Sequence, residues 1–296
     1  MIYIVNCTLS YIFDGVKTVE MINTNGKITL IKRLRNRLCA TPFIPEDLSA
    51  YKSLSDAEEV ILFGGTKQFL SRCKHIEDYA PSTCQLNLYL WNPMFYYTDD
   101  IGKLSRRWKA WSFSKEEAKQ YHIGYAETVY NAKLSYQAPI ETDLFFVGLD
   151  KGRMQLLDTI RDITSTEGLK ADINVVDKIR SLYTSKYVGR MTYDEVRKRI
   201  ARTRALIDIV QSNQSGLTQR VMESIFFRKK LITNNVSVKN YKFYRKENIF
   251  VIGEDDYSHL KEFVLSPYAD VGSFDVKNFD VHQWLDRMIN NKEYYE

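Results

Sequence analysis

The sequence predicts an α/β fold made of two domains, each with a parallel β-sheet covered by helices. The length of 296 residues is typical of two domains. Short apolar runs alternate along the chain with amphipathic stretches of helical period, and this alternation is the pattern of βαβ units. A proline stands within the polar stretch Ser135–Thr142, between two apolar runs, and marks the boundary between the halves.

We place a first domain at residues 1–138, a second at 139–280, and at 281–296 a terminal helical segment that could pack back across the domains. Two such domains leave a cleft between them. Ligands of open α/β sheets bind beyond the carboxyl ends of the strands, so we expect the functional site there.

The apolar runs of the first half predict short buried strands. They lie at Ile2–Val5, Val60–Phe63 and Leu86–Leu90, with weaker patterns at Ile28–Ile31 and Thr128–Tyr130. Helical periodicity occurs at Lys67–Tyr79 and Lys115–Tyr121. Ser114 precedes the second of these helices as an N-cap, and Glu117 stands three residues later, where a capping box needs it.

The second half repeats the alternation with more elements. Its apolar runs predict strands at Leu144–Val147, Ala171–Val176, Leu206–Val210, Leu231–Thr233 and Ile249–Ile252. Its amphipathic stretches predict helices at Arg153–Ile163, Thr192–Arg204, Leu217–Phe227, Tyr257–Leu265 and Val281–Asn290. Thr192 and Glu195 form a second capping-box pattern. The order of strand and helix indicates a parallel sheet with crossover helices.

The composition excludes several classes of protein. The 42 Lys+Arg and 37 Asp+Glu residues give a net charge of +5, which is too small for a dedicated nucleic-acid binder. The four cysteines lie far apart without a CxxC pair, so we expect no structural zinc and a reduced, cytoplasmic protein. No run of 18 apolar residues is present to span a membrane. The apolar start lacks a basic region, so we interpret it as a buried strand and not as a signal peptide.

A glycine-containing loop with two cations follows the first strand of the second half. The residues are Phe145-Phe146-Val147-Gly148-Leu149-Asp150-Lys151-Gly152-Arg153. Backbone amides at the start of a helix, together with Lys151 and Arg153, form an anion site suited to a diphosphate. Gly148 and Gly152 would allow the ligand to approach the backbone closely. The alternative is a surface turn whose charges are solvated.

Leu206–Val210 also runs into a polar turn and then a helix. Ser215, Gly216 and Thr218 stand at the helix start, where free N–H groups favour an anion. Glu223 lies one to two turns into the helix and shares a face with Ser215, two steps of four residues before it. Its carboxylate could accept both hydroxyls of a ribose. The alternative is an ordinary helix cap followed by a solvent-facing glutamate.

These two motifs resemble the sugar-nucleotide domain of GT-B glycosyltransferases. The matching residues are a strand with FVGLDKGR and, about 60 residues later, LIDIVQSNQSGLTQRVMESIFFRKKLITNN. They are most similar to bacterial enzymes that build lipopolysaccharide, capsule or other surface glycans. Two first-half segments, Trp91-Asn92-Pro93 and Trp111–Ala118, are similar as well. The resemblance, specific mainly over residues 144–260, implies two Rossmann-like domains facing a cleft.

The resemblance implies a role for each residue of the two motifs. The donor diphosphate would contact Gly148, Lys151, Gly152, Arg153, Ser215, Gly216, Leu217 and Thr218. The donor ribose would be held by Glu223, and further donor-side candidates are Gln211, Gln214 and Arg220. Many retaining members carry a second glutamate in this region. Here the position eight residues before Glu223 is Ser215, which leaves the anomeric outcome open.

GT-B enzymes stabilise the leaving diphosphate with helix N-termini and basic side chains. The resemblance therefore implies no bound metal, and no cofactor besides the nucleoside diphosphate-sugar substrate. We interpret the acidic pairs Asp99-Asp100 and Asp255-Asp256 as solvated loop carboxylates. An inverting transferase needs a base from the first domain, and Asp14, shortly after the first strand, is our candidate. A retaining enzyme would need no such base.

The sequence thus predicts a glycosyltransferase that moves a sugar from a nucleotide-sugar donor to a growing bacterial surface glycan or glycolipid. Two alternatives stay open. A dinucleotide-dependent oxidoreductase shares the doubly wound architecture, although its G-x-G-x-x-G motif is missing after the N-terminal strand. A non-catalytic two-domain ligand-binding protein could keep the same fold, although Lys151, Arg153 and Arg220 favour phosphate binding.

The segment Lys27–Leu38 concentrates five cations and no acidic residue. As a helix it would carry Ile31, Leu34 and Leu38 on one stripe with cations around it, a surface that could rest on anionic lipid. The alternative is a strand at Ile28–Ile31 followed by a solvated basic loop. The first interpretation predicts a cytoplasmic protein that attaches peripherally to the inner face of the plasma membrane.

Overall fold

The computed structural model describes residues 1–26, 45–64, 68–177, 179–211, 216–272 and 276–290. These residues form two compact units. The first comprises Met1–Glu127 and the described chain from Trp284 onward, and the second comprises Thr128–Gln283. The basic segment Lys27–Leu38, with the strand predicted in it, lies outside the described residues. No described helix is both long and apolar enough to cross a membrane.

The first unit contains a six-stranded parallel sheet. Its strands are β1 Ile2–Val5, β2 Val19–Ile22, β3 Glu59–Gly64, β4 Gln85–Leu90, β5 Trp108–Ser112 and β6 Gly124–Tyr125, in the order β2-β1-β3-β4-β5-β6. Apolar runs in β1, β3 and β4 bury these central strands on both faces, as parallel sheets require. β1 pairs with β2 on one side and β3 on the other, so the chain changes direction between β1 and β3.

Three helices of the first unit are α1 Phe69–Tyr79, α2 Thr98–Ile101 and α3 Lys115–Tyr121. The predicted N-cap of α3 is present, because Ser114 Oγ accepts the Glu117 N–H at 3.3 Å. The Glu117 carboxylate accepts the Met94 N–H and the Ser112 hydroxyl instead of the N-cap N–H. The predicted capping box therefore forms only in its first half, and its glutamate connects Met94, after β4, to Ser112 at the end of β5.

The second unit contains a five-stranded parallel sheet. Its strands are β7 Thr142–Leu149, β8 Ala171–Val176, β9 Thr203–Asp208, β10 Lys230–Thr233 and β11 Ile249–Val251, in the order β11-β10-β9-β7-β8. Leu144 of β7 pairs with Ala171 of β8 on one side and Ala205 of β9 on the other. One face packs in a core that includes Leu144, Phe146, Ala205, Ile207 and Ile232.

The remaining helices are α4 Met154–Thr166, α5 Tyr193–Ala201, α6 Gln219–Phe226, α7 Leu260–Leu265 and α8 Val281–Asn290. The predicted capping box of α5 is complete. Thr192 accepts the Glu195 N–H at 3.3 Å, and Glu195 accepts the Thr192 N–H at 2.7 Å. These reciprocal bonds satisfy two backbone donors at the helix start.

Helix α8 contributes its residues from Trp284 onward to the first unit. The buried indole of Trp284 contacts the rings of Phe13, Phe63 and Tyr89. Arg287 Nη2 lies 3.0 Å from Glu127 Oε2, and both side chains are buried. Breaking a buried ion pair leaves an uncompensated charge, so this pair anchors the helix to the first unit.

The fold class predicted from the sequence is confirmed, with a parallel α/β sheet in each unit. The strand predicted at Thr128–Tyr130 is wrong, because Tyr130 forms only an isolated bridge with Asp280. Residues 128–138 belong to the second unit, where Thr128 Oγ1 donates to Leu217 O. The helix predicted at Thr192–Arg204 ends at Ala201, because β9 begins at Thr203.

Candidate functional site

The candidate site lies at the carboxyl ends of β7 and β9, neighbouring strands between which the chain changes direction. From β7 the chain crosses to β8 on one side of the sheet, and it later returns to β9 on the other. The loops that follow β7 and β9 therefore leave the same edge of the sheet in opposite directions. Open α/β sheets bind ligands in the crevice at such a switch point.

The loop after β7 turns through two consecutive residues with left-handed backbone. φ is 44° at Lys151 and 81° at Gly152, and the Arg153 N–H donates to Asp150 O at 2.8 Å. Glycine adopts this conformation without strain, whereas lysine does so at a cost. Lys151 and Gly152 are exposed, so the tip of the loop presents an ammonium group and unhindered backbone to solvent.

Arg153 folds back from this loop and is half-buried. A Cβ atom at Gly148 would lie 3.2 Å from Arg153 Nη1, so the missing side chain of Gly148 makes room for the guanidinium. Nη1 donates to Leu149 O at 3.3 Å. The buried Nε has no hydrogen-bond acceptor among the residues that the structure describes. Such a donor is costly to bury, and an anionic ligand would satisfy it.

Asp208 is the last residue of β9, and its carboxyl group is buried. Burial raises its pKa. Hydrogen bonds from the hydroxyls of Thr218 and Thr233 oppose this shift. The positive charges of Arg220 and Arg153 oppose it as well. Two arginines, one from the loop after β7 and one from α6, therefore act on the same buried carboxyl group.

Helix α6 presents Arg220 in its first turn, just after Thr218 has capped the helix by accepting the Val221 N–H at 3.3 Å. Arg220 Nη2 donates to Val147 O of β7 at 3.3 Å. The guanidinium carbon lies 5.7 Å from the centre of the Phe145 ring, also in β7. These contacts tie a side chain of α6 to β7 and hold Arg220 across the switch point.

Glu223 lies one turn after Arg220 and is buried. Its Oε2 is 2.6 Å from Arg220 Nη1, and Tyr193 hydrogen-bonds to the same carboxylate. The Tyr193 and Tyr130 hydroxyl oxygens lie 2.6 Å apart. Burial raises the pKa of Glu223, while Arg220 and the Tyr193 bond oppose the shift. Glu223 is thus the partner of Arg220 in this structure, and its ribose role stays a prediction.

The cluster of Arg153, Asp208, Arg220 and Glu223 sets two positive charges against two negative ones. Burial lowers the pKa of Arg153, and the nearby charge of Arg220 adds to this effect, while Asp208 opposes it. Lys151 adds a further positive charge at the exposed loop tip, and the N-terminus of α6 adds its dipole. The arrangement can therefore bind an anion with several charges, such as a diphosphate.

The other predicted donor residues are placed as follows. Ser215 and Gln214 lie outside the described residues. Gln211 is exposed just after β9, and Gly216 has a φ of 82° with its carbonyl accepting from Asn235 Nδ2 at 3.1 Å. The Leu217 side chain is buried, so only its backbone could reach a ligand.

Asp14, the predicted catalytic base, is exposed on the loop after β1. This loop leaves the first sheet where the chain changes direction between β1 and β3. Its catalytic role stays a prediction.

The described part of the chain contains no group of three or more His, Cys, Asp or Glu side chains that could hold a metal ion. In the two acidic pairs of the sequence, Asp100, Asp255 and Asp256 are engaged locally. Asp100 pairs with Lys103 at 2.7 Å. Asp255 accepts the Val251 N–H, and Asp256 accepts the Ser258 N–H.

Three further residues, to which the sequence motifs assign no role, join the cluster in the structure: Asp208, Tyr193 and Tyr130. Asp208 could have been recognised, because an acidic residue that ends an apolar strand stands at the ligand-binding edge of a parallel sheet. Tyr193 and Tyr130 could not, because they come from α5 and from the connection before β7. Only the folded chain brings their hydroxyls to Glu223.

No protein-family model matches the sequence, and no curated protein matches it. Solved structures do match. A sucrose-phosphate synthase from Thermosynechococcus elongatus is 9% identical, with a TM-score of 0.58, covering 98% of this chain and 97% of that chain. Anabaena HepE, in complex with UDP and glucose, is 8% identical, with a TM-score of 0.63 and 98% of each chain covered. A glycosyltransferase from Rickettsia africae is 11% identical, with a TM-score of 0.51, covering 98% of this chain and 97% of that chain.

At such low identity these likenesses concern the fold. They extend over nearly the whole length of each chain, so both sheets are included and not one Rossmann-like unit alone. The chain has the fold of the GT-B glycosyltransferases.

Proposed function

We propose that this protein is a glycosyltransferase that binds a nucleotide-sugar donor at the switch point of its second sheet. The observation that carries the proposal is the convergence of Arg153 and Arg220 on buried Asp208, beside the N-terminus of α6. The likeness to HepE, which was solved with UDP and glucose, supports a nucleoside diphosphate as the ligand class.

The two arginines would act on the leaving group. In sugar transfer the bond between the sugar C1 and a phosphate oxygen breaks, and C1 bonds to an acceptor hydroxyl oxygen. Negative charge grows on the departing diphosphate. Arg153, Arg220 and Lys151 would therefore stabilise the transition state more strongly than the bound donor. The acceptor hydroxyl loses its proton, which Asp14 would receive if the reaction inverts the anomeric centre.

This charge arrangement supports a reaction that needs no bound metal and no cofactor, because basic side chains and a helix N-terminus take up the charge of the leaving group. We propose a growing bacterial surface glycan or its lipid-linked form as the acceptor, held by the first unit. This assignment rests on the sequence resemblance. We also propose a cytoplasmic location, with the basic segment Lys27–Leu38 attaching the protein to anionic lipid at the inner face of the plasma membrane.

The donor proposal predicts which ligand raises the melting temperature. UDP, ADP, GDP and dTDP would be compared with their nucleosides, with NAD and with free glucose. We expect one diphosphate to raise the melting temperature well above its nucleoside, because a ligand bound only to the folded state stabilises it by mass action. Stabilisation by NAD alone would indicate an oxidoreductase. Stabilisation by free sugar alone would indicate a binding protein.

A matched pair of lysine variants tests whether the diphosphate binds at the loop after β7. Lys151→Ala removes the cation at the tip of the loop after β7, whereas Lys170→Ala removes an exposed lysine just before β8, at the opposite edge of the sheet. We expect Lys151→Ala to lower the affinity for the diphosphate about tenfold and to leave the nucleoside unchanged, as for one lost charge-assisted contact. Equal losses for both ligands would contradict the diphosphate assignment.

A further inference from the structure

Two aromatic rings are held in solvent by the turn that follows β4. Phe95 is 55% exposed and Tyr96 is 49% exposed. Their ring centroids lie 4.2 Å apart and the ring planes are inclined by 32°, so the rings stack against each other and the outer side of the stack faces solvent. Together they form an apolar surface, which we call the aromatic platform.

The turn that carries the platform is fixed on both sides. Met94, before it, is buried, and its N–H donates to Glu117 Oε1 at 2.8 Å. Tyr97, after it, is buried as well, and its hydroxyl donates to Gly64 O at the end of β3. The neighbours on either side are thus anchored in the core, so the fold itself directs Phe95 and Tyr96 outward.

The platform also stands where parallel sheets place their ligands. Trp91 is the first residue after β4, and its ring contacts those of Phe63 and Tyr89 in adjacent strands. The turn therefore begins directly at the carboxyl edge of the first sheet. Side chains at this edge are available to ligands in open α/β sheets.

A pyranose ring fits the chemistry of this surface. One of its faces consists largely of C–H groups, and such groups pack favourably on the electron-rich face of an aromatic ring. The hydroxyls at the rim of the sugar need hydrogen-bonding partners. Asp100 and Lys103, in and just after the short helix α2, place a carboxylate and an ammonium group shortly after the turn in the chain.

We propose that Phe95 and Tyr96 form a saccharide subsite of the first unit, on which a pyranose ring of the acceptor stacks. The identification of this sugar as the acceptor rests on the proposed function. The stacking of a sugar on the platform does not depend on it. The inference adds to the proposed function the side chains of the first unit that bind the saccharide.

The test uses the full chain and defined sugars. Methyl glucosides, galactosides and mannosides of both anomers, with maltose, cellobiose and lactose, are examined by saturation-transfer NMR. We expect at least one of them to receive saturation mainly on the C–H groups of one ring face. The double variant Phe95→Leu/Tyr96→Leu keeps apolar side chains but removes the aromatic faces, and we expect it to raise the Kd for that sugar at least tenfold.

Tyr183→Leu is the matched control, because Tyr183 is 83% exposed and belongs to the second unit. We expect it to change the Kd for the sugar less than twofold. Binding of no sugar in the panel, or equal binding by wild type and the double variant, would overturn the inference. It would also be overturned if the double variant lost sedimentation with phospholipid vesicles while keeping its sugar affinity.

Melting temperatures of the same variants with UDP, ADP, GDP and dTDP separate the two proposals. If a diphosphate stabilises wild type and double variant equally while sugar binding is lost, both proposals are supported. If no diphosphate binds but the platform still binds a sugar, the donor proposal fails and the saccharide subsite stands. If a diphosphate binds and no sugar does, the subsite is wrong and the donor site stands.

Discussion

Glu223 can be assigned two different roles, and the structure makes them separable. Its carboxylate pairs with Arg220 at 2.6 Å, while the resemblance assigns it the donor ribose. The Glu223→Gln variant keeps the shape and removes the charge. If Glu223 binds the ribose, the variant weakens UDP binding but leaves 2′,3′-dideoxy-UDP nearly unchanged, because the analogue lacks the hydroxyls. The expected loss for UDP is about 2 kcal/mol, because the ribose hydroxyls lose a charged acceptor while the amide oxygen can still accept from one of them.

Calorimetry measures the affinities of wild type and the Glu223→Gln variant for UDP and for the dideoxy analogue. The four affinities form a thermodynamic cycle that separates the ribose contact from other effects of the substitution. Equal losses for UDP and the dideoxy analogue would contradict the ribose role. Glu223 would then act only by orienting Arg220, because removing its charge would weaken any diphosphate contact that Arg220 makes.

Glu59 is a second buried carboxyl group, in the central strand β3 of the first sheet. It is 3% exposed, and Asn87 Nδ2 donates to its Oε1 at 2.5 Å. Burial raises the pKa of Glu59 to about 7, with the Asn87 bond opposing the shift. Because the folded-state pKa lies above the unfolded one, the protonated acid stabilises the fold at low pH. That stability is lost as the pH rises through about 7.

The Glu59→Gln variant keeps an acceptor for Asn87 and cannot ionise. As the pH rises from 4 to 8, we expect the unfolding free energy of the variant to increase relative to that of wild type, by about 3 kcal/mol in total for a pKa shift of this size. Urea unfolding across this range measures the difference. Glu20→Gln in β2 is the control, because the Glu20 side chain is exposed. A difference independent of pH would contradict the prediction.

At the scale of elements, continuous apolar runs were predicted well and the edges of the sheets were not. The runs of β1, β3 and β4 are apolar because both faces of a central parallel strand are covered. β2 and β6 are edge strands, and β6 has only two residues, so neither carries a periodic signal of its own. They exist because a paired neighbour supplies their hydrogen bonds.

β5 and β6 show how tertiary packing decides where a strand forms. Trp111 of β5 is fully buried, and its indole N–H donates to Asn87 Oδ1 at 2.7 Å. Gly124 pairs with Trp111, and a Cβ atom at Gly124 would overlap the indole ring. The strand β6 therefore needs glycine at a position where propensity alone disfavours a strand. This requirement depends on a contact between strands, so the sequence does not reveal it.

At the scale of the whole molecule, the chain folds into two units, each with its own parallel sheet. The two predicted donor-binding segments, which follow β7 and β9, could be predicted because strand, glycine-containing loop and helix are contiguous in the sequence. The tyrosine hydroxyls beside Glu223 could not, because Tyr193 comes from α5 and Tyr130 from the connection before β7. All of these groups belong to the second unit, Thr128–Gln283.

This division predicts where a bound nucleoside diphosphate slows amide hydrogen exchange. Binding free energy suppresses the local openings of the segments that the ligand contacts. With ligand at a hundred times its Kd, exchange there should slow by up to about a hundredfold, in line with roughly 2.7 kcal/mol. We expect mass spectrometry to find protection in peptides covering 148–158 and 216–226. Peptides of β3 and β4 in the first unit should exchange as in the free protein. Protection confined to β1 and β3 would contradict the assignment and place the nucleotide on the first unit.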